Sequence, residues 1–417
     1  MSTTPQPTPQ PTPRPVVVHP LRVRDFRLLW AGATVSLFGD QFYLVALPWL
    51  VLQLTGSGLA LGTVMMAAAI PRAVFMLVGG AVTDRFSPRR IMIATALART
   101  VLVAAVGALV WFKVIHQWHL YLLAAAFGLA DAFSFPAHQA LIPTIVTPEQ
   151  LPAANSMVQG VVQASTIAGP APAGFVVKRW GIAEAFFIDA VSFLFIIVAL
   201  WRLPEKPRTP PGTQPASRAN MWHSITEGLR YVWHDPPIRA LTLIAAAINL
   251  GISGPIMIGI STLAKVRMGS VTALGTMISV ISAGALAGIL LAGTIKRPRR
   301  LGVMFLAMTT FLGLCMATIG ALHQLLPVLV VLACMGLGSG LVQVHLASWF
   351  QARVDRKMLG RVMSVTTFGA LGLIPISYAL AGALVQISLP LMFFTSGALV
   401  VAVSIIAAAT SGVKSIE

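Results

Sequence analysis

Residues 59–90 read LALGTVMMAAAIPRAVFMLVGGAVTDRFSPRR. Across 59–83 the only ionisable side chain is Arg72, close to the midpoint. The chain then turns through a loop in which Asp84, Arg85, Arg89 and Arg90 flank Ser87-Pro88. About 20 apolar residues cross a bilayer core, so this segment reads as a spanning helix that ends in a tight basic loop. A charge at the centre of such a helix costs roughly 2.5–3.5 kcal/mol, and nothing within the segment offsets it. A partner on another helix must do so, which implies a bundle of spanning helices with a polar interior.

The rest of the chain extends this reading. Its 417 residues are 57% hydrophobic and 10% charged, with mean hydropathy +0.83, whereas soluble domains carry about 25% charged residues. Twelve segments have spanning length, at about 26–53, 59–83, 90–112, 119–141, 152–178, 183–202, 238–264, 272–295, 301–322, 325–349, 361–386 and 389–411. Asp40, Arg99 and Asp131 lie near the middles of the first, third and fourth, at the depth of Arg72 in the second. Two acids and two bases at one depth can offset each other, and an acid there can take up and release a proton.

The formal net charge is +17. If the N-terminus is inside, 22 of the 29 Lys and Arg fall in cytoplasmic segments and 5 in external loops. That bias is the orientation signal of an inner-membrane protein with both termini cytoplasmic. It lies beside anionic lipid and excludes a nucleic-acid patch. Residues 1–24 form a Pro-rich tail expected to lack structure. Residues 25–202 form a first six-helix half, 203–237 a cytoplasmic linker, 238–412 a second half, and 413–417 a tail. Within the linker, Trp222, Ile225, Leu229, Val232 and Trp233 share one helical face before Pro236-Pro237; this predicts an amphipathic helix on the inner membrane surface. Cys315 and Cys334 have no metal or disulfide spacing. No nucleophile–base pair or nucleotide-binding loop appears, so an enzyme is not expected.

The loop Gly80-x-x-x-Asp84-Arg85-Phe86-Ser87-Pro88-Arg89-Arg90 resembles motif A of the major facilitator superfamily, G-x-x-x-D-R-x-G-R-R, with Ser87-Pro88 in place of one glycine. In that superfamily the cluster resembles a latch; Asp84 would cap a neighbouring helix N-terminus while the arginines take phosphates or last-turn carbonyls. Phe26-Arg27-Leu28-Leu29-Trp30, Leu37-Phe38-Gly39-Asp40 and Ala46-Leu47-Pro48-Trp49 are similar to the drug:proton antiporter branch that contains macrolide-efflux proteins and the enterobactin exporter. So are Pro71-Arg72, Phe135-Pro136-Ala137, Gly360-Arg361-Val362-Met363 and the segment 227–233. Gly169-Pro170-Ala171-Pro172-Ala173-Gly174 resembles the helix-5 antiporter motif, which in that family seals the transporter against proton leak. Many drug/proton exchangers of that superfamily carry an arginine within helix 4; here helix 4 has Asp131 and no arginine, and Arg99 on helix 3 is expected to supply the positive charge instead.

The resemblance implies an all-α fold of twelve transmembrane helices in two pseudo-symmetric halves, working by alternating access about a midplane site. Helices 1 and 4 would line the cavity, so Asp40 and Asp131 are its candidate acids and Arg72 and Arg99 their partners. Tyr43, Trp49 and Phe127 are the candidate cavity aromatics. The second half has no midplane charge; Asn249 is its polar candidate, with Ser253, Ser279, Ser282, Gln343 and His345 behind it. Asp189, about six residues into its helix, is expected to be interfacial. The expected activity is proton-coupled export of a lipophilic, cationic compound by a monomer, with no cofactor beyond the coupling proton. Export of an endogenous metabolite such as a siderophore or lipid is the alternative; an anionic cargo would favour the arginines. A non-transporting receptor or scaffold is a remote third.

Overall fold

The computed structural model describes residues 19–204, 218–294, 300–355, 358, 361–363, 365–366, 369 and 372–409; for 77, 81, 84 and 218–225 it describes the backbone alone. The first half contains α1 (Arg24–Thr55), α2 (Gly58–Arg85), α3 (Pro88–Trp111), α4 (Gln117–Ile145), α5 (Leu151–Ala168), α6 (Pro170–Arg179) and α7 (Ile182–Arg202). A linker helix, α8 (Arg218–His234), leads into α9 (Pro236–Gly254), which passes through a π-turn at Pro255–Gly259 into α10 (Ile260–Val266). There follow α11 (Val271–Thr294), α12 (Leu301–Ala321), α13 (Leu325–Arg353), α14 (Ile374–Ile387) and α15 (Leu389–Ala409).

Among the described residues ten helices are long and apolar enough to cross a membrane, eleven if the bent pair α5–α6 is one span. The expected span 361–386 falls partly outside the described residues, and its described end is the shorter apolar helix α14. The tail expected over 1–24 is shorter at its inner edge. Pro20–Arg22 form a 3-10 turn and α1 begins at Arg24; residues 1–18 lie outside the described residues. The linker helix packs on the second half through one residue of the expected apolar face. Val232 is buried against Leu241, Phe305 and Trp349 while Leu229 and Trp233 stay exposed; Trp222 and Ile225 lie outside the described side chains.

The two halves repeat one packing scheme. Contacts of α2 with α4, α3 with α7 and α1 with α7 recur as α11 with α13, α12 with α15 and α9 with α15. Small residues allow it. A side chain at Gly128 would run into the Ala68 carbonyl, and one at Gly340 into the Ala285 carbonyl. In lipid, where apolar surface gains little by leaving solvent, such close backbone approach supplies the association energy.

Arg24, Arg85, Arg89, Arg90, Arg202 and Arg353 fall at one end of the bundle, the basic end. At the opposite, far end the halves share one core, in which Val45, Leu61 and Phe186 of the first half cluster with Leu263, Leu274, Met316 and Phe393 of the second. At the basic end the clusters separate. One holds Leu29, Ile91, Leu141 and Ile197 of the first half, another Val232, Leu241, Phe305 and Trp349 of the linker helix and second half. The halves therefore meet at the far end and part at the basic end.

Candidate functional site

Arg99 projects from α3 between two aromatic faces, its guanidinium carbon 4.7 Å from the Phe127 ring centre and 4.6 Å from that of Phe193. Tyr43 stacks on the other side of Phe127 with ring centres 4.5 Å apart and meets Phe186 edge-on at 6.1 Å. Each cation–π contact of a desolvated guanidinium is worth about 2 kcal/mol, so the sandwich holds the plane of the Arg99 head in one orientation.

In that orientation Nη2 donates to Asp40 Oδ1 at 3.0 Å, and Asp131 Oδ1 lies 4.0 Å from the same nitrogen. Asp131 Oδ2 is in turn 3.1 Å from Nε of Arg72. The four charges named from depth alone thus form one chain, Asp40–Arg99–Asp131–Arg72, across α1, α3, α4 and α2, with a formal sum of zero. Side-chain exposure is lowest at Arg99, 14%, and rises outward from it to 25% and 21% at Asp40 and Asp131 and 55% at Arg72.

Other expected site residues go elsewhere. Trp49 is not beside the acids. It lies more than two turns away, roughly 13 Å along α1 at 1.5 Å per residue, in the shared far-end core. There the ammonium of Lys265, from the second half, sits 4.5 Å from its ring centre. Asn249 donates its amide to the Ala245 carbonyl of its own helix at 3.0 Å, and no described contact joins it to the charges. His345 is buried and likewise bonded to its own backbone, at Leu341.

Asp189 departs most from expectation. It is 0% exposed, not interfacial, because α7 turns it onto α1; its Oδ1 would lie 3.0 Å from a Cβ built at Gly39, the residue next to Asp40. Phe193, one turn on along the same face of α7, was also missed. The i, i+4 spacing of Asp189 and Phe193 is visible in the sequence, but nothing in an apolar segment says which face meets α1 and α3.

The helix-5 motif lies on the seam between the halves. The chain bends by 41° between α5 and α6, where Pro170 opens α6 and leaves the Ala171 amide without an intrahelical acceptor. Ser279 Oγ of the second half accepts it at 3.2 Å, and Gln163 Nε2 donates across the seam to the Ser282 carbonyl at 3.1 Å. Gly169 makes room for Gln41 of α1, and Gly174 faces the Val271 carbonyl.

Of the motif A residues, Arg89 has the clearest contacts. Its Nε and Nη2 donate to the carbonyls of Leu200 and Trp201 at 2.6 and 3.0 Å, capping the last turn of α7. Gly80 is half-buried, and Arg85 and Arg90 are exposed at the basic end. The latch expected of Asp84 falls on a side chain outside the described residues, as does Gly360, its expected receiver. Arg361 pairs instead with Glu227 of the linker helix.

Comparison with known proteins identifies this arrangement. The sequence profile of the Major Facilitator Superfamily matches residues 29–376. The chain belongs to the major facilitator superfamily. It is a multi-pass membrane transporter with the fold of that superfamily. It is 29% identical over 372 residues to the multidrug efflux pump Tap of Mycolicibacterium fortuitum, covering 88% of this chain and 89% of that protein. It is 24% identical over 403 residues to macrolide efflux protein A of Streptococcus pyogenes, covering 94% and 97%. Among solved structures it superposes on a bacterial homologue of the iron transporter ferroportin in an inward-facing state, with TM-score 0.70 at 17% identity over 93% of this chain and 99% of that one.

Proposed function

We propose that this transporter exports lipophilic cations in exchange for protons, from the bacterial cytoplasmic membrane, with its basic end and both termini inside. The observation that carries the reading is the surroundings of Arg99, with aromatic faces above and below and carboxylates at its edge. Those are the groups that hold an organic cation, and the partly exposed Asp40 and Asp131 can each take a proton or a cation but not both. Binding of one then excludes the other, which is the condition for exchange. Parting of the halves at the basic end offers the site to the cytoplasm, and the bent, cross-capped helix 5 keeps the far side shut. The names of the two efflux relatives support a drug-like cargo.

A second reading, export of an anionic metabolite such as a siderophore, draws on the exposure of Arg72, whose donors beyond its bond to Asp131 have no partner among the described residues. One experiment separates the two. Affinity is measured against pH for a permanent cation, ethidium, and for an anionic siderophore on wild type, Asp131→Asn and Arg99→Gln. Cation export requires that ethidium binding weaken as pH falls and be reduced by Asp131→Asn. Anion binding that is pH-independent and survives Asp131→Asn would replace it with the second reading.

A further inference from the structure

Asp189 is fully buried, yet its carboxylate is poorly served. Oδ2 has no hydrogen-bond partner. Among the described residues Oδ1 has only the Ser192 hydroxyl at 3.5 Å, which donates at 2.7 Å to the Asp189 carbonyl instead. The charged and titratable groups that face it are Asp40 and Tyr43 of α1 and Arg99 of α3; Asp131 lies beyond Arg99, and the bases of α6, Lys178 and Arg179, are exposed at its last turn. Asp40, Arg99, Asp131 and Arg72 already sum to zero, so an ionised Asp189 would add an uncompensated negative charge to an apolar core, which proteins avoid by neutralising the group. Nε of Arg99 is also buried and without an acceptor.

We propose that Asp189 is a second, occluded proton site of the transport cycle, and that Arg99 alternates between Asp40 and Asp189. In the state described here one proton sits on Asp189 while Asp40 is ionised and bonded to Arg99. When that proton passes to Asp40, Asp189 is left ionised and the Nε–H of Arg99 meets its free Oδ2; the charge of the cluster is unchanged. Asp40 is partly open while Asp189 is sealed. The Asp189 carboxyl lies at the level of Gly39, next to Asp40, so in this state, with the far end closed, the sealed Asp189 exchanges its proton through the partly open Asp40. The inference rests on the proton-coupled reading above and adds the group that keeps the proton from passing straight through.

Infrared difference spectra of the full-length protein in lipid test the assignment. The carbonyl band of a protonated, weakly hydrogen-bonded carboxylic acid is expected in wild type, slow to exchange in heavy water, lost in Asp189→Asn, and weakened in Asp40→Asn, where the neutral amide leaves Arg99 to pair with an ionised Asp189. Transport of ethidium into proteoliposomes tests its role. Asp189→Asn should retain counterflow and lose accumulation driven by a pH gradient, with partial rescue by Asp189→Glu. A band untouched by Asp189→Asn, or unimpaired gradient-driven accumulation in that variant, overturns the proposal. If Asp189→Asn does not fold, Asp189→Glu decides, because the band must then move to the frequency of a glutamic acid. Wild type that ignores a pH gradient sinks proton coupling, whereas the infrared result bears on Asp189 alone.

Discussion

At the scale of single residues Arg99 is held by four neighbouring side chains. It touches two rings and lies against two acids, and lysine, a point charge without a plane, cannot replace it. Removing one partner of such a network leaves a charge in a poor environment, which costs about 3–5 kcal/mol when the pair is fully buried and less here because Asp40 is a quarter exposed. Arg99→Gln should therefore lower the melting temperature more than the double change Arg99→Gln with Asp40→Asn. A double-mutant cycle should return a coupling of about 1–3 kcal/mol, and additive effects would mean that the pair contributes nothing. For transport, Asp40→Asn should abolish accumulation against a gradient when pH is the sole driving force while leaving counterflow partly intact. Concentrative uptake at the wild-type rate by that variant would remove Asp40 from the coupling path.

Helices set the conformational balance. The bend at Gly169-Pro170 brings α6 against α11 so closely that a side chain at Gly275 would strike the Pro170 carbonyl. Overpacking at such a contact costs about 1–3 kcal/mol, felt only in the state where the far end is closed. Gly275→Leu should then shift the population toward a far-open state by roughly five- to more than a hundredfold, at tenfold per 1.4 kcal/mol. Spin-label distances between the far ends of α2 and α14 would lengthen; unchanged distributions would mean that the seam does not limit opening. At the basic end Arg89 satisfies two otherwise orphaned carbonyls of α7. Arg89→Ala should destabilise the protein by about 1.5–3 kcal/mol, the range for hydrogen bonds to a charged group, read as a lower denaturation midpoint. A midpoint unchanged within error would assign those bonds no net value.

For the whole molecule the arrangement of charge predicts orientation. With Lys and Arg concentrated at one end, a Ser87→Cys thiol should react with an impermeant reagent only from the cytoplasmic side and a Lys113→Cys thiol only from outside, in a protein whose Cys315 and Cys334 have been replaced. Labelling of both from one side would reject the assignment. The far-end core shared by the halves against separate cores at the basic end is likewise a property of the assembly, and no single helix contains it.

The segments of spanning length, the bias of basic residues and the four charges at one depth are all legible in the sequence, because each is a sum over one contiguous stretch and the bilayer imposes its length on that stretch. Helix 5 also announces its bend through Gly169-Pro170. The pairing of charges is of another kind. Arg99 bridges Asp40 to Asp131, Arg72 takes Asp131, Asp189 is sealed and Trp49 leaves the site for Lys265, because each helix is turned about its own axis by the small residues on which its neighbours pack. An almost wholly apolar helix carries no polar face to reveal that rotation in advance. Which end is closed depends on contacts between residues 100 or more positions apart, such as Gln163 with Ser282 and Ala171 with Ser279. Only the packed bundle decides it.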